Sequence, residues 1–289
     1  MAHTPTLGSI HNPRVREALA LRESRERRRR GQLLIDGGRE IGRAVASGVP
    51  IVEAFVAEEL VDATGSEAIE AWAGLRAGGT PLVPVTAELM ARMAFGDRSD
   101  GLLAVARTPD SSLDSLGARV PDQPLLVVLE SVEKPGNLGA VLRTADGAGV
   151  DGVIVADPRT DPWNPNAIRA SMGTVFQVPL AVTDATSARA WLTGRGVRSV
   201  AAIVDATTTY TDTDLTGALA IVLGSEAAGL SDAWRADAVD AVRIPMLGIA
   251  DSLNVSVTAA ILAYEARRQR DRAAGPGTPA RPTDRPGRR

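Results

Sequence analysis

At 289 residues the chain has room for two modest domains, and with 44% hydrophobic and 23% charged residues it can bury a real core. It has no cysteine and only two histidines, His3 and His11, which excludes disulfides and thiolate chemistry and argues against a metal site. A net charge of −3, no apolar run near the roughly 18 residues that span a bilayer and no signal-peptide pattern make a cytoplasmic protein the expectation, with no membrane role.

Residues 10–30 read as a polar, arginine-rich helix in which Arg22, Arg25, Arg27, Arg28, Arg29 and Arg30 form a dense basic run. Such a run suits a phosphate backbone, and it also describes an ordinary solvated helix face. Short apolar strands follow at 32–35, 51–57, 82–85 and 101–106, with helical spacing at 39–47, 68–76 and 87–93. This is a small alternating α/β domain over residues 1–107. Residues 108–123 are rich in Pro, Ser and Asp and read as a linker.

A second α/β unit is expected over 124–270. Its strands, at 125–129, 153–156, 200–204, 219–223 and 242–244, are near-continuously apolar rather than alternating, the mark of a parallel sheet covered on both faces. The last helix runs from 255 to 270, and a second basic run, Arg267, Arg268, Arg270 and Arg272, straddles its end. Residues 271–289 are dominated by Pro, Gly and Arg and read as a disordered tail.

Three loops of this unit stand at strand ends. The first, Glu133–Gly139, leads into a helix bearing Arg143, and its backbone N–H groups suit an anion. Arg143 shares that end of the sheet only if the helix starts near Leu138. The second is Leu223-Gly224-Ser225-Glu226 followed by Gly229 and Leu230. The third runs from Ile244 through Met246 and Gly248 to Ser252-Leu253-Asn254, where Ser252 or Asn254 fits a helix N-cap. Taken singly, each also reads as an ordinary strand-to-helix turn. Neither G-x-G-x-x-G nor G-x-x-x-x-G-K-[ST] is present, which counts against the common dinucleotide and triphosphate sites. Three small-residue loops at the carboxyl ends of parallel strands form one candidate pocket.

Asn137-x-Gly139-x-x-x-Arg143, Gly224-Ser225-Glu226-x-x-Gly229-Leu230 and Ile244-Pro245-Met246-x-Gly248-x-x-x-Ser252-Leu253-Asn254-Val255-Ser256 resemble, in order, the three motifs of the SpoU (TrmH-like) RNA methyltransferases of the SPOUT superfamily. The resemblance covers residues 125–270. It extends more weakly to the first domain, where Ile35-Asp36-Gly37-Gly38-Arg39-Glu40 and Ser99–Val105 are similar to the family's RNA-binding module, with Asp36 where Glu is usual.

The resemblance implies a parallel-sheet catalytic domain with a deep trefoil knot, a homodimer, and S-adenosylmethionine as methyl donor with no metal. It implies methylation of a ribose 2′-hydroxyl in RNA. The added N-terminal domain favours large-subunit ribosomal RNA, and the two-domain layout is similar to that of members conferring antibiotic resistance. Transfer RNA is the alternative substrate, and a non-catalytic ribosome-assembly factor and a small-molecule α/β enzyme are the rival functions. By motif position, Leu223, Gly224, Ile244, Met246 and Leu253 line the donor pocket, while Arg143, Asn137, Ser252, Asn254 and Glu226 form the catalytic set. Arginine holds its proton firmly, so Arg143 is expected to clamp a phosphate rather than to act as the base. Arg22, Arg25, Arg28, Arg30 and Arg39 are expected to grip RNA.

Overall fold

A computed structural model describes residues 5–95, 99–225, 228–235 and 239–275. They form two units, one of the described residues up to Pro109 together with Asp161–Gln177, the other of Asp110–Thr160 and the described residues from Val178 to Gly275.

In the first unit the order is α1 (Pro13–Ala20), α2 (Ser24–Arg30), β1 (Gln32–Asp36), α3 (Gly38–Ala46), β2 (Ile51–Val56), α4 (Glu58–Thr64), α5 (Ser66–Ala77), β3 (Leu82–Pro84), α6 (Ala87–Met93) and β4 (Leu102–Arg107). The sheet order is β1-β4-β2-β3, with β4 antiparallel to both neighbours and β2 parallel to β3. Leu34, Phe55, Val83 and Leu103 of the sheet pack with Val15, Ala18, Leu89, Met90 and Met93.

The single helix expected over 10–30 is two. Val15, Ala18 and Leu21 are buried, but the next turn offers no apolar residue to continue that stripe. The break leaves helix-end carbonyls without partners. Arg27 supplies them, donating from Nη1 to the carbonyls of Leu21 and Arg22 at 2.9 and 2.7 Å. Close packing of α3 on α5 depends on Gly38, where a Cβ would lie 2.5 Å from the Ala68 Cα.

The second unit begins inside the expected linker, where a short helix, α7 (Leu113–Gly117), buries Leu116. Then come β5 (Leu125–Glu130), α8 (Pro135–Ala148) and β6 (Gly152–Ala156). The next stretch, with α9 (Pro165–Ala170), belongs to the first unit, so the expected 124–270 domain lends it residues 161–177. There Asp161 pairs with Arg27 at 2.6 Å, and Arg169 pairs with Asp36 at 2.5 Å.

The second unit resumes with β7 (Leu180–Thr183), α10 (Ala185–Gly194), β8 (Arg198–Ala202), β9 (Thr208–Thr209), β10 (Leu219–Leu223), β11 (Asp240–Arg243) and α11 (Val255–Ala274). Its seven strands, ordered β7-β6-β5-β10-β8-β11-β9, are all parallel. Every residue of β5, β6 and β10 is buried, so both faces are covered. The α11 helix continues four residues past the expected end, to Ala274. Its arginines fasten it down. Arg267 bonds the Ala148 and Gly149 carbonyls at the end of α8, Arg270 bonds those of Pro124 and Gly217, and Arg268 pairs with Glu265. This second basic run is largely spent on packing.

Candidate functional site

Because β10 inserts between β5 and β8, the order of strands reverses near the middle of the sheet, where open parallel sheets bind ligands beyond their carboxyl ends. A cavity of about 260 Å³ opens there. It is lined after β8 by Ala202, Ile203 and Val204, after β10 by Leu223, Gly224 and Ser225, and after β11 by Ile244 and Met246. Ser252, Leu253, Val255 and Thr258, around the start of α11, complete the wall. Gly229, Arg243 and Asp251 also line it, and the remaining side chains are mostly small or apolar, suited to an apolar ring system with a few polar groups at its edge.

The β10 loop folds on itself. Ser225 and Gly229 exchange both backbone hydrogen bonds, at 3.2 and 2.9 Å, and the Ser225 hydroxyl accepts from the Ala228 N–H. A Cβ on Gly224 would lie 2.2 Å from the Gly229 carbonyl carbon. Glycine at 224 is therefore required first by the chain's own approach, before any ligand enters.

Beside the cavity, Asn254 caps α11 by accepting from the Ser256 N–H at 2.9 Å, and its Nδ2 donates to Asn137 Oδ1 at 3.2 Å. The first and third loops thus meet at two amide side chains. Arg143 is exposed and, among the described residues, makes no hydrogen bond or ion pair.

The SpoU rRNA Methylase family model matches residues 124–264, and the MRM3-like substrate binding domain model matches residues 12–104. A 23S rRNA (uridine(2479)-2′-O)-methyltransferase of Streptomyces viridochromogenes is 32% identical over 90% of this chain and 91% of its own length. The chain belongs to the SpoU rRNA methylase family. Among solved structures, an RNA 2′-O ribose methyltransferase is 37% identical, with a TM-score of 0.79 over 92% of this chain and 99% of its own. The SpoU methyltransferase AviRb from S. viridochromogenes, in complex with the cofactor AdoMet, is 29% identical, with a TM-score of 0.78 over 91% of this chain and all of its own.

Against the SpoU motifs, all five residues expected at the donor pocket, Leu223, Gly224, Ile244, Met246 and Leu253, line the one cavity, and Ser252 joins them. Glu226 lies outside the described residues. Arg143 stands deeper in its helix than expected: α8 starts at Pro135, not near Leu138, which puts Arg143 roughly 12 Å along the axis. The Cα–Cβ bond of a helical residue tilts toward the helix N-terminus, the end that carries Asn137.

The expected RNA-gripping arginines divide. Arg25 is exposed without an acidic partner among the described residues, and Arg28 is exposed with only the Ser24 hydroxyl. Arg22 bonds the Met93 and Ala94 carbonyls and stacks on Phe95, while Arg30 and Arg39 pair with Glu26 and Glu40. Sequence reasoning misses the lining role of Ala202–Val204 because it places them inside a strand at 200–204, whereas β8 ends at Ala202. It also misses Glu130, whose pairing with Ser231 spans 101 residues and leaves no local pattern.

Proposed function

We propose that the protein transfers a methyl group from S-adenosylmethionine to a ribose 2′-hydroxyl of RNA, with large-subunit ribosomal RNA as the substrate. The observation that carries this reading is that the second and third motif loops line one cavity while the first meets the third beside it through the Asn137–Asn254 pair. S-adenosylmethionine supplies a methyl group that its sulfonium already activates, so the reaction calls on positioning and proton removal rather than on a metal. Leu223, Gly224, Ile244, Met246 and Leu253 hold the donor's adenosine part. Arg143 clamps a phosphate of the target nucleotide and thereby orients the ribose hydroxyl. Asn137, Ser252 and Asn254 position the nucleotide, and Glu226 organises the pocket.

In the first unit Arg25 and Arg28 are the phosphate contacts, with Arg22, Arg30 and Arg39 at their margin. The protein works as a homodimer. In support, Leu247 and Ile249 are 99% and 104% exposed beside the cavity, and Val257 and Tyr264 stand two turns apart on α11 and are exposed too. The catalytic unit carries a deep trefoil knot, a reading supported by the path from β11, near one sheet edge, to α11 against α8 and central β5 and β10. Work on ribosomal RNA calls for a cytoplasmic location; no described helix is long and apolar enough to cross a membrane.

The test is transfer of labelled methyl to ribosomal and transfer RNA, with the product mapped as an alkali-resistant linkage. One resistant ribose in large-subunit RNA is the expected result. Transfer to transfer RNA alone would move the substrate. Donor binding without transfer to any RNA would favour a non-catalytic assembly factor.

A further inference from the structure

Glu130 is a buried carboxylate that the reading above does not use. It ends β5 at 3% exposure, and both its oxygens face one residue. Oε2 accepts the Ser231 N–H at 2.7 Å, and Oε1 accepts the Ser231 hydroxyl at 2.6 Å. Burying a carboxylate is costly unless its oxygens are hydrogen-bonded, and the apolar residues preceding it in β5 incur no such cost. The charge therefore stands where it fixes Ser231.

Ser231 closes the segment that leaves β10. Upstream of it, Leu230 is buried in the sheet's core and Gly229 is bonded to Ser225. Ser225 and Gly229 both line the cavity. Directly after Glu130, Ser131 takes φ 54°, donates to the Ala156 carbonyl at 2.9 Å and turns the chain toward α8, which bears Asn137 and Arg143. One carboxylate thus sits where the strand leading to the nucleotide helix meets the exit of the donor loop.

We propose that Glu130 is a positioning residue for the methyl donor, holding Ser225 and Gly229 in cavity-lining register through its two bonds to Ser231. The proposal rests on the donor reading of that cavity. It is tested by equilibrium binding of S-adenosylmethionine to the full chain, with thermal unfolding measured on every variant. Glu130→Ala weakens donor binding about tenfold or more, the order of magnitude of a lost charge-assisted hydrogen bond. Glu130→Gln stays within about threefold of wild type, because its carbonyl still accepts the N–H and its amide donates to the hydroxyl. Ser231→Ala, at an exposed position, falls between the two. With RNA substrate, the donor KM rises in the same order while kcat at saturating donor holds within about threefold.

Wild-type donor affinity in folded Glu130→Ala overturns the proposal, as does a drop in kcat with KM unmoved. If Glu130→Ala does not fold, Ser231→Ala decides, and unchanged affinity there overturns it. Affinity that merely tracks loss of thermal stability across all three variants leaves Glu130 a structural role only. Failure of the wild-type chain to bind the donor removes the donor reading and this proposal with it, a result distinct from binding that the variants leave unaltered.

Discussion

Asn254 Nδ2 donates to Asn137 Oδ1 at 3.2 Å, joining two residues 117 positions apart. The same Asn254 side chain turns its oxygen to the Ser256 N–H and hydroxyl and so begins α11. One amide therefore both caps a helix and fixes the orientation of the Asn137 side chain.

Asn254→Asp separates these two tasks. A carboxylate still caps α11, so the unfolding temperature is held, whereas Asn254→Ala loses about 1 kcal/mol with the cap. But aspartate cannot donate to Asn137, which must present its NH2 group instead and reverse its polarity toward the nucleotide. Methyl transfer by Asn254→Asp is expected to fall roughly tenfold or more with stability intact. Undiminished transfer would show that the pair serves the fold alone.

Arg143→Lys is expected to fold normally, because Arg143 is exposed and makes no bond among the described residues. Its turnover is expected to drop about a hundredfold, since a lysine presents a point charge where a planar fork orients the phosphate. Single-turnover rates at saturating donor and RNA are the measurement. Near-normal turnover would sink the clamp.

The central sheet is legible in the sequence because β5, β6 and β10 are almost wholly apolar, and the donor loop because Gly224 directly follows such a strand. The short strands β7 and β9 are not, since four and two residues carry no period. Nor is the role of the arginine run: composition treats Arg25 and Arg27 alike, while the fold buries one and exposes the other. The early start of α8 is hidden because Pro135 sits in a Pro-Gly pair that reads as a turn, yet proline's fixed φ suits the first position of a helix.

That division of the arginines predicts opposite phenotypes. Arg27 is 3% exposed, pairs with Asp161 and caps α1, so Arg27→Ala is expected to cost roughly 3–5 kcal/mol of stability by leaving Asp161 unpaired. Arg25→Ala with Arg28→Ala is expected to leave stability unchanged. It should weaken RNA binding and flatten the slope of log affinity against log salt by about 1.5 to 2, the loss of two phosphate contacts. Salt titrations of RNA binding beside chemical unfolding distinguish the two.

Gly224→Ala forces a methyl group to within 2.2 Å of the Gly229 backbone. It is expected to destabilise the chain by about 1–3 kcal/mol and to remove donor binding as the loop shifts. Gly136 in α8 is the control: nothing lies within 4 Å of its added Cβ, and alanine there should preserve stability. Donor binding retained by Gly224→Ala would mean that the loop opens without harm.

Two carboxylates predict opposite responses to pH. Burial pushes Asp36 above the ordinary carboxylate range, against the Phe95 N–H and Arg169, which favour its charged form. The folded state then binds a proton that the unfolded chain gives up, so stability falls as pH rises from the ordinary carboxylate value through the raised one. Asp36→Asn should abolish that decline. At Glu265 the Arg268 guanidinium, with help from Gln269, holds the carboxyl down to about 2. Its contribution is present above the ordinary value of 4.5 and is lost as pH falls toward about 2. Solvent screens this pair, so Glu265→Gln should flatten the acid limb only slightly. Unfolding midpoints between about pH 2 and 7 for the wild type and both variants test the signs. An Asp36→Asn profile parallel to wild type would show that folding leaves the proton affinity of Asp36 unchanged.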